Sequence, residues 1–127
     1  MGFGAAKRGT MVKGMAFVAY SVRDVPAARA FYKDVVGLKV SDVASDYWTE
    51  FDVDGVTFGI GNGEPLGIAP GSSFAATFEV GDVAAERERL IGLGVPITDI
   101  HESPVCFSAF VTDPEGNKFG IHQRKAT

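Results

Sequence analysis

The 127-residue sequence predicts an α+β domain made of two tandem βαβββ modules that form an open barrel around a cleft. The main observation is an internal repeat: residues 17–25 (FVAYSVRDV) resemble residues 75–83 (AATFEVGDV), so that Asp24 aligns with Asp82. Each segment alternates in polarity as a strand does and ends at an aspartate that precedes a helical pattern. Strand-like runs follow each helix, which gives the order βαβββ twice.

The two helices are predicted from the residues at their ends. Asp24 and Asp82 suit the N-cap position, where a short side-chain oxygen accepts hydrogen bonds from free backbone N–H groups. Gly37 and Gly94 suit the position after the last turn, where left-handed backbone is common. Between these limits apolar residues recur at helical spacing: Ala28, Phe31, Tyr32 and Val35 in the first helix, and Val83, Leu90 and Leu93 in the second.

The other strands and the domain limits follow from alternation and from turn residues. We predict strands at 38–41, 47–52 and 56–61 in module one and at 97–101, 106–112 and 118–123 in module two, with hairpin turns at 53–55 and 113–117. Residues 1–13 are predicted to be a flexible N-terminal extension. Residues 14–127 then form a single domain, with module one at about 14–62, a linker rich in Gly and Pro at 63–72, and module two at about 73–123.

Alternation also assigns the two faces of each sheet. Val18, Tyr20 and Val22 share one face of the first strand, and Phe78 and Val80 match two of them in the repeat. Because these positions are apolar, we expect them to pack beneath the helices. The opposite faces line the cleft if the two sheets curl together.

Composition and charge exclude several classes of protein. A net charge of -4 and a pI near 5.1 argue against a nucleic-acid binder, which usually carries a concentrated basic face. No apolar run approaches the roughly 20 residues that a membrane-spanning helix needs, so we expect no membrane association. The single cysteine, Cys106, cannot form an internal disulfide and is typical of a protein of the reducing cytoplasm.

Two motifs resemble those of a known family. The segment AFYKD at 30–34, followed by Gly37 and Leu38, is similar to the pattern FY-x-D-x-x-G-L, and DPEGN at 113–117 is similar to D-P-x-G-N. Together with the repeat, these motifs resemble the vicinal-oxygen-chelate superfamily, which contains glyoxalases, bleomycin-resistance proteins and dioxygenases. The resemblance implies paired βαβββ modules around a cavity and, commonly, a homodimer.

The resemblance also implies where metal ligands would lie. Metal-dependent members take them from inward positions on the first and fourth strands of each module. These positions correspond here to Phe17 and Gly59 in module one and to Ala75 and Gly120 in module two. A divalent cation needs several imidazole or carboxylate ligands within about 2.0–2.6 Å, and none of these side chains supplies one. We therefore expect neither a metal at this position nor another cofactor.

A set of side chains is expected to line the cleft and to bind a ligand. Strand alternation places on the predicted inner faces Phe17, Trp48, Glu50, Thr57, Thr77, Ser108 and Phe110. Aromatic walls with a few polar groups are typical of a small-molecule pocket. The alternative is that the aromatic residues fill a closed core.

Cys106 and His122 are the candidate catalytic residues. The turn at 113–117 places Ser108 opposite His122 on adjacent antiparallel strands, with Cys106 one diagonal step away, about 7–8 Å by Cα. A neighbouring imidazolium stabilises a thiolate, which is the form that acts as a nucleophile. Alternatively, Ser108 takes the hydrogen bond of the imidazole, Cys106 is a packing residue, or a displaced metal site forms from His101, Glu102, Cys106 and His122.

Three functions are compatible with these patterns. The leading prediction is a metal-free relative of the bleomycin-resistance proteins that binds a small, partly apolar organic molecule. The second is an enzyme, such as a lyase, isomerase or dioxygenase-like protein, that uses a displaced metal or acid–base chemistry by Cys106, His122, Glu50 or Glu102. The third is a non-catalytic interaction subunit whose cleft is filled.

Overall fold

The structure is a computed structural model that describes residues 17–66, 68–71 and 74–126. The side chains of Leu66, Phe74 and Ala75 lie outside this description. The predicted N-terminal extension, residues 1–13, also lies outside the described residues. Within the described ranges, no helix is long and apolar enough to cross a membrane.

Module one has four strands and one helical segment. β1 (Val18–Ser21) leads into α1 (Val25–Ala30), which continues as a π-helix (Phe31–Val36). β2 (Lys39–Ala44), β3 (Trp48–Val53) and β4 (Val56–Gly61) follow. The strand order in the sheet is β1-β4-β3-β2, with β1 parallel to β4 and the other neighbours antiparallel.

Module two repeats this arrangement after a short 3-10 helix at Glu64–Leu66. Its elements are β5 (Phe74–Glu79), α2 (Val83–Gly92), β6 (His101–Glu102), β7 (Cys106–Thr112) and β8 (Lys118–Arg124). The strand order β5-β8-β7-β6 matches that of module one. The predicted α+β fold of two βαβββ modules is therefore confirmed, and the two curled sheets form an open barrel.

Both helices begin where predicted. The Asp24 side chain accepts a hydrogen bond from Ala27 N at 3.0 Å, and the Asp82 side chain accepts one from Ala85 N at 3.1 Å. These bonds satisfy backbone donors that have no partner inside the helix. Gly37 follows the first helical segment with a φ of 91°, a left-handed conformation that glycine adopts without strain.

Local structure differs from the prediction in three places. Residues 31–36 form a π-helix instead of extending α1, and the N–H of Gly37 bonds to the carbonyl of Tyr32. Leu93 is 57% exposed, because α2 ends at Gly92 and Leu93 falls beyond its last turn. The strand predicted at 97–101 is reduced to β6 and an isolated bridge between Ile97 and Val111.

The hydrophobic core lies on the helix-bearing faces of both sheets and is shared by the modules. The ring of Tyr32 lies between Phe58 of module one and Phe119 of module two, at centroid distances of 5.1 and 5.8 Å. Phe58 also contacts Phe78 of β5 at 5.6 Å. Because each aromatic ring buries a large apolar area, this cluster joins the two modules.

The turn at 113–117 adds buried hydrogen bonds between the modules. Tyr32 Oη donates to Asp113 Oδ2 at 2.7 Å, and Asn117 Nδ2 donates to Ser21 O at 2.9 Å. Burial raises the pKa of Tyr32, and the neighbouring Asp113 carboxylate raises it further, so the phenol remains a donor. Since a buried polar group costs free energy without a partner, these bonds fix the turn against module one.

The same turn also reaches the start of α1. The Glu115 carboxylate accepts hydrogen bonds from the N–H groups of Arg23 at 2.6 Å and Asp24 at 2.8 Å. Tyr20 provides another link, because its hydroxyl donates to a β8 carbonyl at 2.6 Å and accepts from a β5 N–H at 2.8 Å. These bonds hold the helix-bearing sides of the two modules together. The described residues leave the opposite faces of the sheets uncovered.

Candidate functional site

The helix-free face of module one carries several of the residues predicted to line the cleft. Trp48 on β3 pairs with Gly61 on β4, and Glu50 pairs with Gly59. Residues paired across strands point to the same face. Thr57, two residues before Gly59 on β4, therefore shares this face as well.

The indole of Trp48 lies across the two glycines of β4. A Cβ atom built on Gly59 would be 2.4 Å from Trp48 Cη2, and one on Gly61 would be 2.5 Å from Trp48 Cε3. Both distances are far below van der Waals contact, so any larger residue would displace the ring. Trp48 Nε1 donates to Glu50 Oε2 at 2.9 Å. The Phe17 ring meets the indole edge-on, with centroids 5.2 Å apart.

A depression of about 290 Å³ opens beside this ring. Its walls are mainly apolar and include Phe17, Tyr47, Trp48 and Ile68. Ser21 Oγ lies at the base and donates to Ile68 O at 2.8 Å. The volume is close to the lower limit of about 300 Å³ for small-molecule pockets. Sequence reasoning missed both Tyr47 and Ile68. Tyr47 was the first residue of the predicted strand 47–52, where alternation puts it on the face opposite Trp48, but β3 begins at Trp48. Ile68 fell in the predicted linker, where alternation gives no signal.

In module two, Thr77 and Phe110 occupy the helix-free face at the position that the Trp48 ring occupies in module one. Both residues pair with Gly120 of β8, one from each neighbouring strand. A Cβ atom on Gly120 would be 3.0 Å from Thr77 Oγ1 and 3.5 Å from Phe110 Cε1. Thr77 is exposed and Phe110 is half-buried. The glycine on this side is therefore flanked by two side chains, whereas a single indole covers the glycines of module one.

Glu79 and His122 form the polar end of this face. The two residues pair across β5 and β8, and Glu79 Oε1 lies 2.5 Å from His122 Nδ1. The second carboxylate oxygen accepts from Arg124 N at 2.9 Å. The hydrogen bond from His122, followed by that from Arg124, lowers the pKa of Glu79. Glu79 shares this face because it alternates with Phe78 and Val80 along the chain, but its contact with His122 depends on the β5–β8 pairing, which the sequence did not specify.

Cys106 and Ser108 lie on β7, beside His122. Ser108 pairs with His122 across the hairpin, as predicted, and Cys106 precedes Ser108 by one alternation. Cys106 is half-buried, and its Sγ lies 3.3 Å from Ser103 Oγ. The Nδ1 atom of His122 faces Glu79. The structure thus brings the candidate catalytic residues onto one face and gives each of them a different hydrogen-bond partner.

The positions implied for metal ligands do not fit a divalent cation. Gly59 lies under the Trp48 ring, and a carboxylate or imidazole there would collide with it. Phe17 and Gly120 offer no donor side chain, and the side chain of Ala75 is outside the described part of the chain. Among the residues that the structure describes, no three His, Cys, Asp or Glu side chains converge to hold a metal ion.

The displaced cluster considered from the sequence is also spread out. His101 is exposed and pairs with Ser108, and the Glu102 carboxylate forms an ion pair with Lys125 at 2.6 Å. The alternative metal site has no geometric support among the described residues.

Sequence comparison decides the family. The chain matches the model of the Glyoxalase/Bleomycin resistance protein/Dioxygenase superfamily over residues 14–121. The chain belongs to this superfamily. The match spans both βαβββ modules, and the resemblance seen in the two motifs is confirmed. No curated protein sequence matches the chain.

Several solved structures share this fold. TnmS3, an antibiotic binding protein from Streptomyces sp. CB03234, is 24% identical with a TM-score of 0.77, covering 91% of this chain and 99% of its own. Lactoylglutathione lyase from Agrobacterium tumefaciens is 21% identical with a TM-score of 0.74, covering 90% and 96%. The fosfomycin resistance protein FosX from Listeria monocytogenes, complexed with Mn(II) and sulfate, is 19% identical with a TM-score of 0.70, covering 91% and 93%. The superfamily fold therefore accommodates both binding proteins and enzymes.

Proposed function

We propose that this superfamily member is a metal-independent binding protein for a small, partly apolar organic molecule. The observation that carries the proposal is the position of Trp48, whose ring covers Gly59 and Gly61. The resemblance implies a metal ligand near Gly59, and an aromatic surface takes its place here. Such a surface favours stacking and apolar contact with an organic ligand.

The surroundings of Trp48 support an apolar occupant. Phe17 and Ile68 are each 49% exposed, and Tyr47 is 78% exposed. Apolar side chains that stay exposed around a concave surface are typical of binding sites. Ser21 at the base and Glu50, which accepts from the indole nitrogen, add polar groups. This suits a ligand with an aromatic or alicyclic body and a few polar substituents.

The relatives support a binding role at the level of the fold. TnmS3 is described as an antibiotic binding protein and resembles this chain along almost its whole length. The low identity does not carry its ligand over to this chain. The shared fold does show that this architecture can bind a small molecule.

Fluorescence of Trp48 provides the test, because it is the only tryptophan of the chain. We expect planar apolar compounds, such as naphthalene and anthraquinone derivatives, to change its emission on titration. In Gly59→Ala the new methyl group displaces the indole, and affinity should fall by about tenfold, equivalent to about 1.4 kcal/mol. The matched control is Gly81→Ala, where a Cβ atom would meet nothing within 4 Å. Equal affinities in the two variants, or no response to any compound, would argue against the proposal.

The Glu79–His122 pair favours a second candidate, an enzyme that uses His122 and Cys106. A carboxylate on one imidazole nitrogen orients the ring so that the other nitrogen can act as a base. If His122 activates Cys106, alkylation by iodoacetamide should be slower in His122→Ala than in the parent protein. Equal alkylation rates would leave Cys106 as a packing residue.

We further propose that the protein acts as a cytoplasmic homodimer. The helix-free faces and the outer strands β2 and β6 are uncovered in a single chain, and open sheet edges usually need protection. The single free thiol, Cys106, suits a reducing compartment.

A further inference from the structure

A second cavity lies between the two modules, on the helix-bearing side of the sheets. Its volume is about 300 Å³. The walls come from the end of the π-helix, the β3–β4 hairpin and β5, and they consist of side chains that remain only partly buried: Val36, Leu38, Val53, Phe78 and Val80. Core residues of α2 and β8 close its base. Trp48 lies on the opposite face of its sheet, so this cavity is separate from the site proposed above.

The cavity continues beneath the β3–β4 turn. A depression of about 340 Å³ on the other side of the turn shares Val53, Asp54, Phe78 and Glu79 with it. The two spaces therefore form one groove between the hairpin of module one and β5 of module two. Asp54 lines both spaces. Glu79 lines them as well, but its carboxylate is held on the helix-free face by His122 Nδ1 and Arg124 N.

The titratable side chains that line this groove are all acidic. The titratable residues lining the cavity are Asp54, Glu79 and Glu86, and the described lining contains no Lys, Arg or His. Glu86 forms an ion pair with Arg89, and Glu79 contacts His122. Asp54 forms no ion pair among the described residues. An uncompensated negative charge therefore stands at the mouth of an apolar cavity.

The position of Asp54 is fixed by its turn. Its φ is 51° and that of Gly55 is 82°, the left-handed conformations of a tight two-residue hairpin. The Asp52 side chain accepts from Gly55 N at 3.0 Å and holds the turn closed. The carboxylate of Asp54 is thus carried on a rigid element rather than on a long loop.

We propose that the groove binds a small organic cation with an apolar body, such as an alicyclic or aryl-alkyl amine. The apolar body occupies the cavity between Val36 and Phe78, where it replaces water against partly exposed side chains. The ammonium group lies beside Asp54, where it satisfies the uncompensated charge. An anion of the same shape is repelled by this carboxylate, and a neutral molecule gains only the apolar contact.

Calorimetry with three probes of one shape tests the charge requirement. Adamantylmethylamine, adamantylmethanol and adamantane carboxylate differ in charge and are too bulky to stack as planar rings do. We expect the amine to bind most tightly, the alcohol more weakly and the carboxylate not at all, with amine affinity falling as ionic strength rises. Emission from Trp48 should stay constant, since the indole faces the other side of its sheet.

Two variants locate the site. Asp54→Asn should weaken amine binding by about fivefold, the effect of one screened ion pair, and leave the alcohol unaffected. It should fold normally, because Asn-Gly is a favoured two-residue turn. The matched control is Asp42→Asn, which removes an exposed carboxylate from β2. Val36→Phe should fill the cavity and abolish binding of both amine and alcohol.

Three results would overturn the inference: no amine binding at millimolar concentration, equal binding of the carboxylate, or undiminished amine binding in Asp54→Asn. A change in Trp48 emission that parallels amine binding would also overturn it, because it would place the amine at the other site. If the groove does not bind the amine, the proposed function of the Trp48 face is unaffected, since the two sites share no residue.

Discussion

Trp48 and the glycines of β4 depend on one another, since the ring fills space that any Cβ atom at Gly59 or Gly61 would occupy. Alternation placed Trp48 on the inner face, and the family resemblance placed Gly59 there. Their contact depends on the register of β3 against β4, which the turn at Asp54 and Gly55 sets. The sequence contained this signal, but the direction in which the indole lies is a matter of packing.

Contacts across a hairpin were easier to predict than contacts between distant strands. The pairing of Ser108 with His122 follows from the turn that joins β7 and β8. The pairing of Glu79 with His122 joins parallel strands that are far apart in the chain. No local pattern specifies such a pair, and the carboxylate that orients His122 was therefore missed.

The Glu79 carboxylate should make stability depend on pH in a defined direction. Its pKa is lowered in the folded state, chiefly by the hydrogen bond from His122. The contribution of the Glu79 carboxylate to folding stability is therefore fully present above the ordinary glutamate pKa of about 4.3. It is lost as pH falls through the lower pKa of the folded state. We expect the difference in free energy of unfolding between the parent and Glu79→Gln to be largest near neutral pH and to shrink below pH of about 4.

Urea unfolding at a series of pH values measures this difference. Glu88→Gln, an exposed change on α2, is the matched control. It should show no such trend. A difference that grows as the solution is acidified would mean that Glu79 is not stabilised by these hydrogen bonds.

Among the helices and strands, the residues with strong local signals were predicted best. The N-caps Asp24 and Asp82 lie where their side chains and the following patterns indicated. The π-helix after Ala30 was not predicted, because over six residues its spacing differs little from that of an α-helix. Much of the strand expected at 97–101 is absent. Only β6 and one isolated bridge pair with β7 in this region.

The turn at 113–117 was recognised as a motif, but its partners in module one were not visible in the sequence. Asn117 is fully buried, accepts from Gly71 N at 3.1 Å and donates to Ser21 O and Asp113 Oδ2. Asn117→Ala leaves these groups without a partner, and we expect it to lower the free energy of unfolding by about 2–4 kcal/mol.

Chemical denaturation of Asn117→Ala, compared with a control variant at another asparagine, measures this loss in free energy of unfolding. The matched control is Asn62→Ala, which removes an exposed side chain whose amide oxygen accepts one described hydrogen bond, from Glu64 N. Its expected cost is about 0.5 kcal/mol. A loss in Asn117→Ala no larger than in the control would mean that the turn does not join the modules.

For the whole molecule, the repeat predicted two modules, and the family match confirms that architecture. The sequence did not predict how the two modules pack against each other. The Tyr32 ring contacts Phe119, and Phe58 contacts Phe78, through pairs of residues that only a folded chain brings together. These contacts place the shared core on the helix side and leave both helix-free faces open. The groove at Asp54 arises from the same packing, since it lies where the modules meet incompletely.

The open faces lead to a prediction about assembly. Tyr47 is 78% exposed and Phe17 is 49% exposed, both beside Trp48. A second copy packed against Tyr47 and Phe17 would remove apolar surface from water and would enclose the depression beside Trp48 rather than fill it. A stable interface of this kind buries about 800 Å² per partner. We therefore expect sedimentation velocity at micromolar concentration to give about twice the chain mass of 13.4 kDa.

A charged substitution tests which face forms the interface. Tyr47→Glu would place a carboxylate in the covered apolar surface, and desolvating it should weaken association by at least about tenfold. Leu93→Glu is the matched control, because Leu93 is also exposed but follows α2 on the helix-bearing side. A monomeric parent protein would contradict the dimer itself. A dimer weakened by Leu93→Glu and not by Tyr47→Glu would instead place the interface on the helices, and the Trp48 depression would then remain open to solvent on each chain.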